Sequence, residues 1–303
     1  MGLMKHLALA AALVLAACAT ANAQTETCPP AGYTRAQLET LKAADWAVPD
    51  DAARNRLARG MTACLSAPES ALRDGIAFEA LQHWMRTDDA LTRETLLAIG
   101  DELQARLAAP EGPGFARPFA ALVLADFART DRAHPWLTPE RRASLLDASI
   151  NYFVNVRDYR GFDDAEGWRH GVAHGSDLLM QLALNPAFGK PELTRIRDAV
   201  ATQIAPAGHF YIYGEGARLA NPILYMAGRG VFTEAEWTDW LTRVASPAPL
   251  ASWNDAYAHN TDLARVHDVT QFMQTLYLVA SLDNATQDDV LLPGARAAIL
   301  TLP

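Results

Sequence analysis

Arg169-His170-Gly171-Val172-Ala173-His174 repeats the frame of Arg73-Asp74-Gly75-Ile76-Ala77-Phe78. Arg117-Pro118-Phe119-Ala120-Ala121-Leu122 fits the same frame, and Arg218 and Arg265 open two further apolar helices. These five arginines fall 44 to 52 residues apart, near the period of HEAT and armadillo repeats. An arginine followed by small and branched apolar residues suits the second helix of such a unit. One helix pair cannot bury its own apolar face, so stacked pairs share a continuous core. The reading is an all-α, HEAT/armadillo-like α-solenoid of about five helix pairs. Its competitor is an irregular α-bundle in which arginine recurs by chance.

Working outward, the helix boundaries agree with this. Thr34-Arg35-Ala36-Gln37 is a capping box that opens a helix to about Trp46, and Thr233-Glu234-Ala235-Glu236 is another. Thr138, Pro139 and Glu140 supply an N-cap, a first-position proline and a first-turn acid. Breakers recur at Pro49, Pro68, Glu111 to Gly114, Pro135, Asn185-Pro186, Pro206 to Gly208 and Ser246 to Pro249. No run alternates apolar and polar residues long enough for a convincing strand.

The N-terminus reads as a targeting signal rather than structure. Leu7 to Ala17 is apolar but too short to span a bilayer. Two processing routes stand open. Leu15-Ala16-Ala17-Cys18 is a lipobox, which makes 1–17 a lipoprotein signal and Cys18 a lipid anchor. Ala21-Asn22-Ala23 is an A-x-A site, which makes 1–23 a signal peptide and Gln24 the first mature residue. Both routes leave residues 24–303 as one helical-repeat domain in the periplasm or secreted. Both also leave Cys28 and Cys64 as an even pair in an oxidising compartment, read as one disulfide. Net charge is -9 over 303 residues, with no basic tail or Lys/Arg block. That argues against a nucleic-acid partner.

The stretch from Arg157 to Pro186 carries the chemistry. Asp163 and Glu166 read as a D-x-x-E cap, which predicts a helix from there. At about 100° per residue, Glu166, His170, His174, Asp177 and Gln181 share one stripe. Trp168, Val172, Leu179 and Leu182 are expected opposite, facing the core. Gly167, Gly171 and Gly175 form a flank on which a neighbouring helix can close. His170 and His174 at i,i+4 suit one zinc or other divalent transition metal, with Asp177 as a third ligand. Yet the residue after His170 is Gly171, so HExxH is absent. A polar ligand pocket and buried structural hydrogen bonding are the other two readings of the stripe.

The run R-D-Y-R-G-F-D…G-W-R-H-G-V-A-H-G-x-D-L-L…N-P, with the earlier R-D-G-I-A-F-E-A-L, resembles the bacterial family known as domain of unknown function 2785. The likeness extends from about Cys28 to at least Arg229. It implies an all-helical protein and supplies no catalytic residues to carry over.

The remaining candidates come from elsewhere in the chain. Glu215 and Arg218 follow Tyr211-Ile212-Tyr213-Gly214, and in a solenoid they would lie beside the histidine stripe. Arg160 and Arg169 would edge it. His259, Asp262 and His267 repeat the His/Asp flavour near the C-terminus. No nucleophile elbow, Walker loop or dinucleotide fingerprint is present. Two functions follow from different classes. One is a binding or interaction protein that holds a protein or small polar ligand in a cleft lined by Arg160, Glu166, Arg169, His170, His174, Asp177, Glu215 and Arg218. The other is a metal-dependent hydrolase acting on a cell-envelope component.

Overall fold

Side-chain caps start helices where the sequence places them. Thr34, Asp50, Thr92, Thr138 and Thr233 each accept a backbone N–H from the first turn that follows. The computed structural model describes residues 27–282 and 286–303; both signal readings, with Cys18 and Gln24, lie outside them. The first helices are α1 (Arg35–Ala43), α2 (Asp51–Cys64) and α3 (Ser70–Leu72), which runs through a π-helical turn, Arg73–Phe78, into α4 (Glu79–Arg86). Then come α5 (Arg93–Leu107), α6 (Ala116–Ala133), α7 (Pro139–Val154), α8 (Gly171–Ala183) and α9 (Lys190–Ala201). The chain closes with α10 (Glu215–Ala227), α11 (Glu234–Val244), α12 (Asn260–Leu282) and α13 (Leu292–Ile299). Among the described residues the fold is all-α but for one hairpin of two short strands, β1 (Phe162–Asp163) and β2 (Gly167–Trp168).

The helices near the five arginines are neighbours in chain order. α4 packs on α6, α6 on α8, α8 on α10, and α10 on α12. α2 packs on α5, α5 on α7, and α7 on α9, while α5 touches α6, α7 touches α8 and α9 touches α10. At the C-terminal end α13 packs against both α11 and α12. One continuous apolar cluster runs between these elements, from Leu38 to Ala298. Close approach is bought by missing side chains: a Cβ on Gly175 would sit 2.6 Å from the Phe153 ring, so α8 can lie on α7 only with glycine there. Among the described residues no helix is long and apolar enough to cross a membrane.

The expected Cys28–Cys64 disulfide is present, joining the start of the described chain to the last residue of α2. The helix expected from Asp163 is not. Asp163 Oδ1 accepts the N–H groups of Ala165 at 2.8 Å and Glu166 at 3.0 Å, forming an Asx turn. Phe162 then pairs with Trp168, and Asp163 with Gly167, whose φ is +76°. A three-residue hairpin loop closed by a left-handed glycine satisfies the same D-x-x-E spacing as a helix cap. Hence α8 begins only at Gly171, and Glu166, Gly167 and Trp168 are not on it. Trp168 does not face the core; it is 36% exposed.

Candidate functional site

His170 is the pivot of the site. Its backbone sits in the left-handed region, φ 57° and ψ 41°, an uncommon conformation for a residue with a side chain. It is held there from both sides. Its N–H donates to the Arg160 carbonyl at 3.1 Å and its carbonyl accepts the His174 N–H at 3.0 Å. Non-glycine residues in this region cost of order 1–3 kcal/mol and cluster at functional sites. The strain turns the hairpin into α8 and places the imidazole under Trp168, ring centroids 4.6 Å apart and nearly parallel.

From His170 onward the stripe is real, and each member meets a neighbouring helix. His170 Nε2 lies 3.4 Å from Glu215 Oε1 on α10, near enough for an ion pair but not aligned as a hydrogen bond. His174 packs its ring edge against Phe119 of α6, centroids 5.1 Å apart, and its Nδ1 has no hydrogen-bond partner. Asp177 is gripped by both Nε, at 2.8 Å, and Nη2 of Arg218. Gln181 accepts from Arg132 of α6 at 3.1 Å. Burial alone would raise the Glu215 carboxyl. The His170 ring, the N–H of Glu215 itself and that of Tyr213 outweigh it and hold the group below the usual carboxylate range. Burial, then the charges of His170 and Arg218, push His174 well below the usual histidine range, so it is neutral at pH 7.

Arg160 and Arg169 flank the base of the hairpin instead, and Glu166 meets Arg169 from the hairpin loop. Arg169 is buried, donates to Glu166 Oε2 at 2.6 Å and to the Pro113 carbonyl at 3.0 Å, and lies over the Phe115 ring at 4.4 Å. Arg160 pairs with Asp158 at 2.5 Å. The structure therefore splits the predicted set into a seam between α8 and α10 and an ionic collar around the hairpin. The metal trio does not form, because Asp177 is committed to Arg218. Among the described residues no group of three or more His, Cys, Asp or Glu is placed to hold a metal ion.

Two residues escaped the sequence reading. Arg73, fully buried, lies over Phe115 at 4.0 Å, so this ring meets guanidinium groups from both Arg73 and Arg169. The repeat frame marked Arg73 as a helix starter only. Asp268 of α12 is also fully buried. One oxygen accepts the Tyr211 N–H at 2.9 Å and the other has no hydrogen-bond partner. Burial pushes its carboxyl up to about 7; the Tyr211 N–H opposes this and the nearby Glu215 adds to it. An aspartate in the middle of a mixed helix gave no signal of that.

Asp268 yields a signed prediction. Between pH about 4, where an unfolded aspartate titrates, and about 7, the folded state binds the extra proton. Stability from this group is therefore complete at low pH and declines as pH rises through that window, by up to about 1.4 kcal/mol per pH unit. Asp268→Asn keeps the acceptor for Tyr211 and removes the titration. Measured by urea unfolding at pH 5 and pH 8, the variant is expected to gain on the wild type at the higher pH. The opposite trend of His174, whose contribution is lost as pH falls below its unfolded value, cancels in that difference. An equal difference at both pH values would rule the assignment out.

The fold and site define an all-helical protein whose central seam is ionic and whose hairpin caps it with aromatic rings. The chain belongs to the family described as "Protein of unknown function (DUF2785)", whose model matches residues 107–278. The match starts later than the likeness read from the sequence and runs on past Arg229; it contains α6 to α11, the hairpin and most of α12. No curated protein and no solved structure matches the chain.

Proposed function

We propose that this protein is an exported, non-catalytic binding protein of about five HEAT-like helix pairs, which takes a polar ligand on the α8–α10 seam. The observation that carries the reading is a pair of buried imidazoles. His170 and His174 are each more than nine-tenths buried; His174 Nδ1 has no hydrogen-bond partner, and His170 Nε2 has only Glu215 Oε1, 3.4 Å away and not aligned as a hydrogen bond. Buried polar atoms in folded proteins are nearly always bonded, so each exception calls for an explanation, a functional role among them. Here the two nitrogens sit one helical turn apart, flanked by the acid Glu215 and the Asp177–Arg218 pair.

The repeat architecture draws support from the chain-order packing of α4, α6, α8, α10 and α12. Stacked second helices expose an extended face suited to binding. Export draws support from the Leu7–Ala17 apolar run and from a disulfide, a bond that persists in oxidising compartments. Periplasmic, secreted and Cys18-anchored forms all fit these two features.

The test is a thermal-shift panel on the purified protein with inorganic phosphate, citrate, D-alanyl-D-alanine, cellotetraose and chitotetraose. At least one probe is expected to raise the unfolding midpoint in a dose-dependent way. The shift should vanish in Asp177→Ala/Arg218→Ala, whose own circular dichroism spectrum stays helical. Flat responses to every probe, or a shift that survives in the double variant, would sink the seam as a binding site.

A further inference from the structure

We infer that the aromatic rings capping the seam form a carbohydrate subsite that stacks a pyranose ring of an oligosaccharide on Trp168. This rests on the seam being a binding site and names the class of its ligand.

The rings form a built surface outside the core. Phe162, Trp168 and Tyr213 are 43%, 36% and 38% exposed, yet their centroids are only 5.1 Å and 5.8 Å apart around Trp168. Trp168 is held on one side by the near-parallel His170 ring and flanked by the other two. The Tyr213 hydroxyl donates to the Phe162 carbonyl at 3.2 Å. Tyr213 reaches that place only because residue 161 is glycine, since a Cβ there would fall 2.0 Å from its ring. Rigid rings that stay exposed add little burial energy to the fold. Large aromatic rings held exposed side by side form the kind of patch that serves as a binding surface.

The rim selects the ligand. Glu166 in the hairpin loop and Arg160 at the hairpin base stand half-exposed, each tethered by a charged partner, Arg169 and Asp158. Below the platform lie Glu215 and His170. A pyranose has axial C–H bonds on its flat face and hydroxyls around its edge. The face can cover an indole while the hydroxyls both donate to carboxylate and accept from guanidinium. A purely apolar ligand would desolvate these charges without pairing them. A strongly anionic one would meet Glu166 and Glu215 in a chain of net charge -9. A membrane surface would be better served by unpaired cations than by this alternation of acid and base.

The experiment is calorimetric titration of wild type, Trp168→Ala and Trp168→Phe with cellotetraose and chitotetraose, followed in parallel by tryptophan fluorescence. Phosphatidylglycerol vesicles serve as the competing probe. The expected result is that one tetrasaccharide binds and shifts the fluorescence. Its affinity should fall at least about tenfold in Trp168→Ala and stay within about threefold in Trp168→Phe. The inference is overturned if neither sugar binds, if binding survives in Trp168→Ala, or if the wild type binds vesicles through Trp168 and ignores both sugars. If the sugars fail while phosphate, citrate or the dipeptide still gives an Arg218-dependent thermal shift, only the carbohydrate assignment falls. If every probe fails, the seam falls with it.

Discussion

Arg73→Met is expected to destabilise the protein by about 3–5 kcal/mol, the range for breaking a buried, hydrogen-bonded ionic contact. The side chain is 0% exposed and uses nearly every donor it has. Nη1 donates to the carbonyls of Ala67 at 2.9 Å and Pro68 at 3.2 Å, Nη2 to that of Glu166 at 2.7 Å, and Nε to Asp74 Oδ1 at 3.1 Å. Methionine fills much of the volume but leaves these acceptors unpaired, at about 1–3 kcal/mol for each one that water cannot reach. It also forfeits the stacking on Phe115 and Phe119. Lysine would rescue poorly, because its single point charge cannot span acceptors fixed by a planar fork. Urea unfolding should report the loss with little change in slope. Because Glu166 lies in the hairpin loop, Trp168 emission should also shift at urea concentrations below global unfolding. A loss under about 1 kcal/mol would mean that water already reaches these carbonyls.

Removing the Cys28–Cys64 bridge is expected to cost about 3–4 kcal/mol in the chain-entropy model. The bond closes a loop of sequence separation 36 and ties the segment before α1 to the end of α2. Cys64 is fully buried, so Cys28→Ala/Cys64→Ala is the cleaner test, since serine there would bury a hydroxyl as well. The wild type under a thiol reductant and the double variant without it should unfold at similar, lowered urea concentrations. Reductant should then do nothing further to the variant. A peptide map of the protein recovered from its native host checks the same point and tests the proposed cleavage of the leader together. It should recover Cys28 and Cys64 as one cross-linked peptide, and its N-terminal peptide distinguishes lipidated Cys18 from Gln24. Recovery of both cysteines as free thiols would refute the bridge.

Helix identity was legible because caps and breakers are local. Thr34, Thr138 and Thr233 accept from the turns they precede, as their sequence contexts require. Half of the site was legible for the same reason. His170, His174, Asp177 and Gln181 keep their 3.6-residue periodicity because α8 carries them from its first turn or the residue before it. The misreading of Glu166, Gly167 and Trp168 has an equally local cause. Asp163 can serve a helix cap or an Asx turn with the same spacing, and the choice depends on what the following residues pack against. Trp168 stacks on His170 and packs against the tilted Phe162 ring rather than on the core, so the hairpin wins.

From the sequence alone follow the all-helical class, the family, the cysteine pair and the polar face of α8, each written in neighbours a few residues apart or in a recurring frame. Only the tertiary structure decided which charges meet. Arg218 takes Asp177 from any metal, Arg73 reaches Glu166 across 93 residues of chain, and burial pushes the titration of His174 down and that of Asp268 up. The reason is that pairing and desolvation depend on distance in space, and helices that stack bring together residues some 40 to 50 positions apart, a separation over which local sequence carries no geometric information.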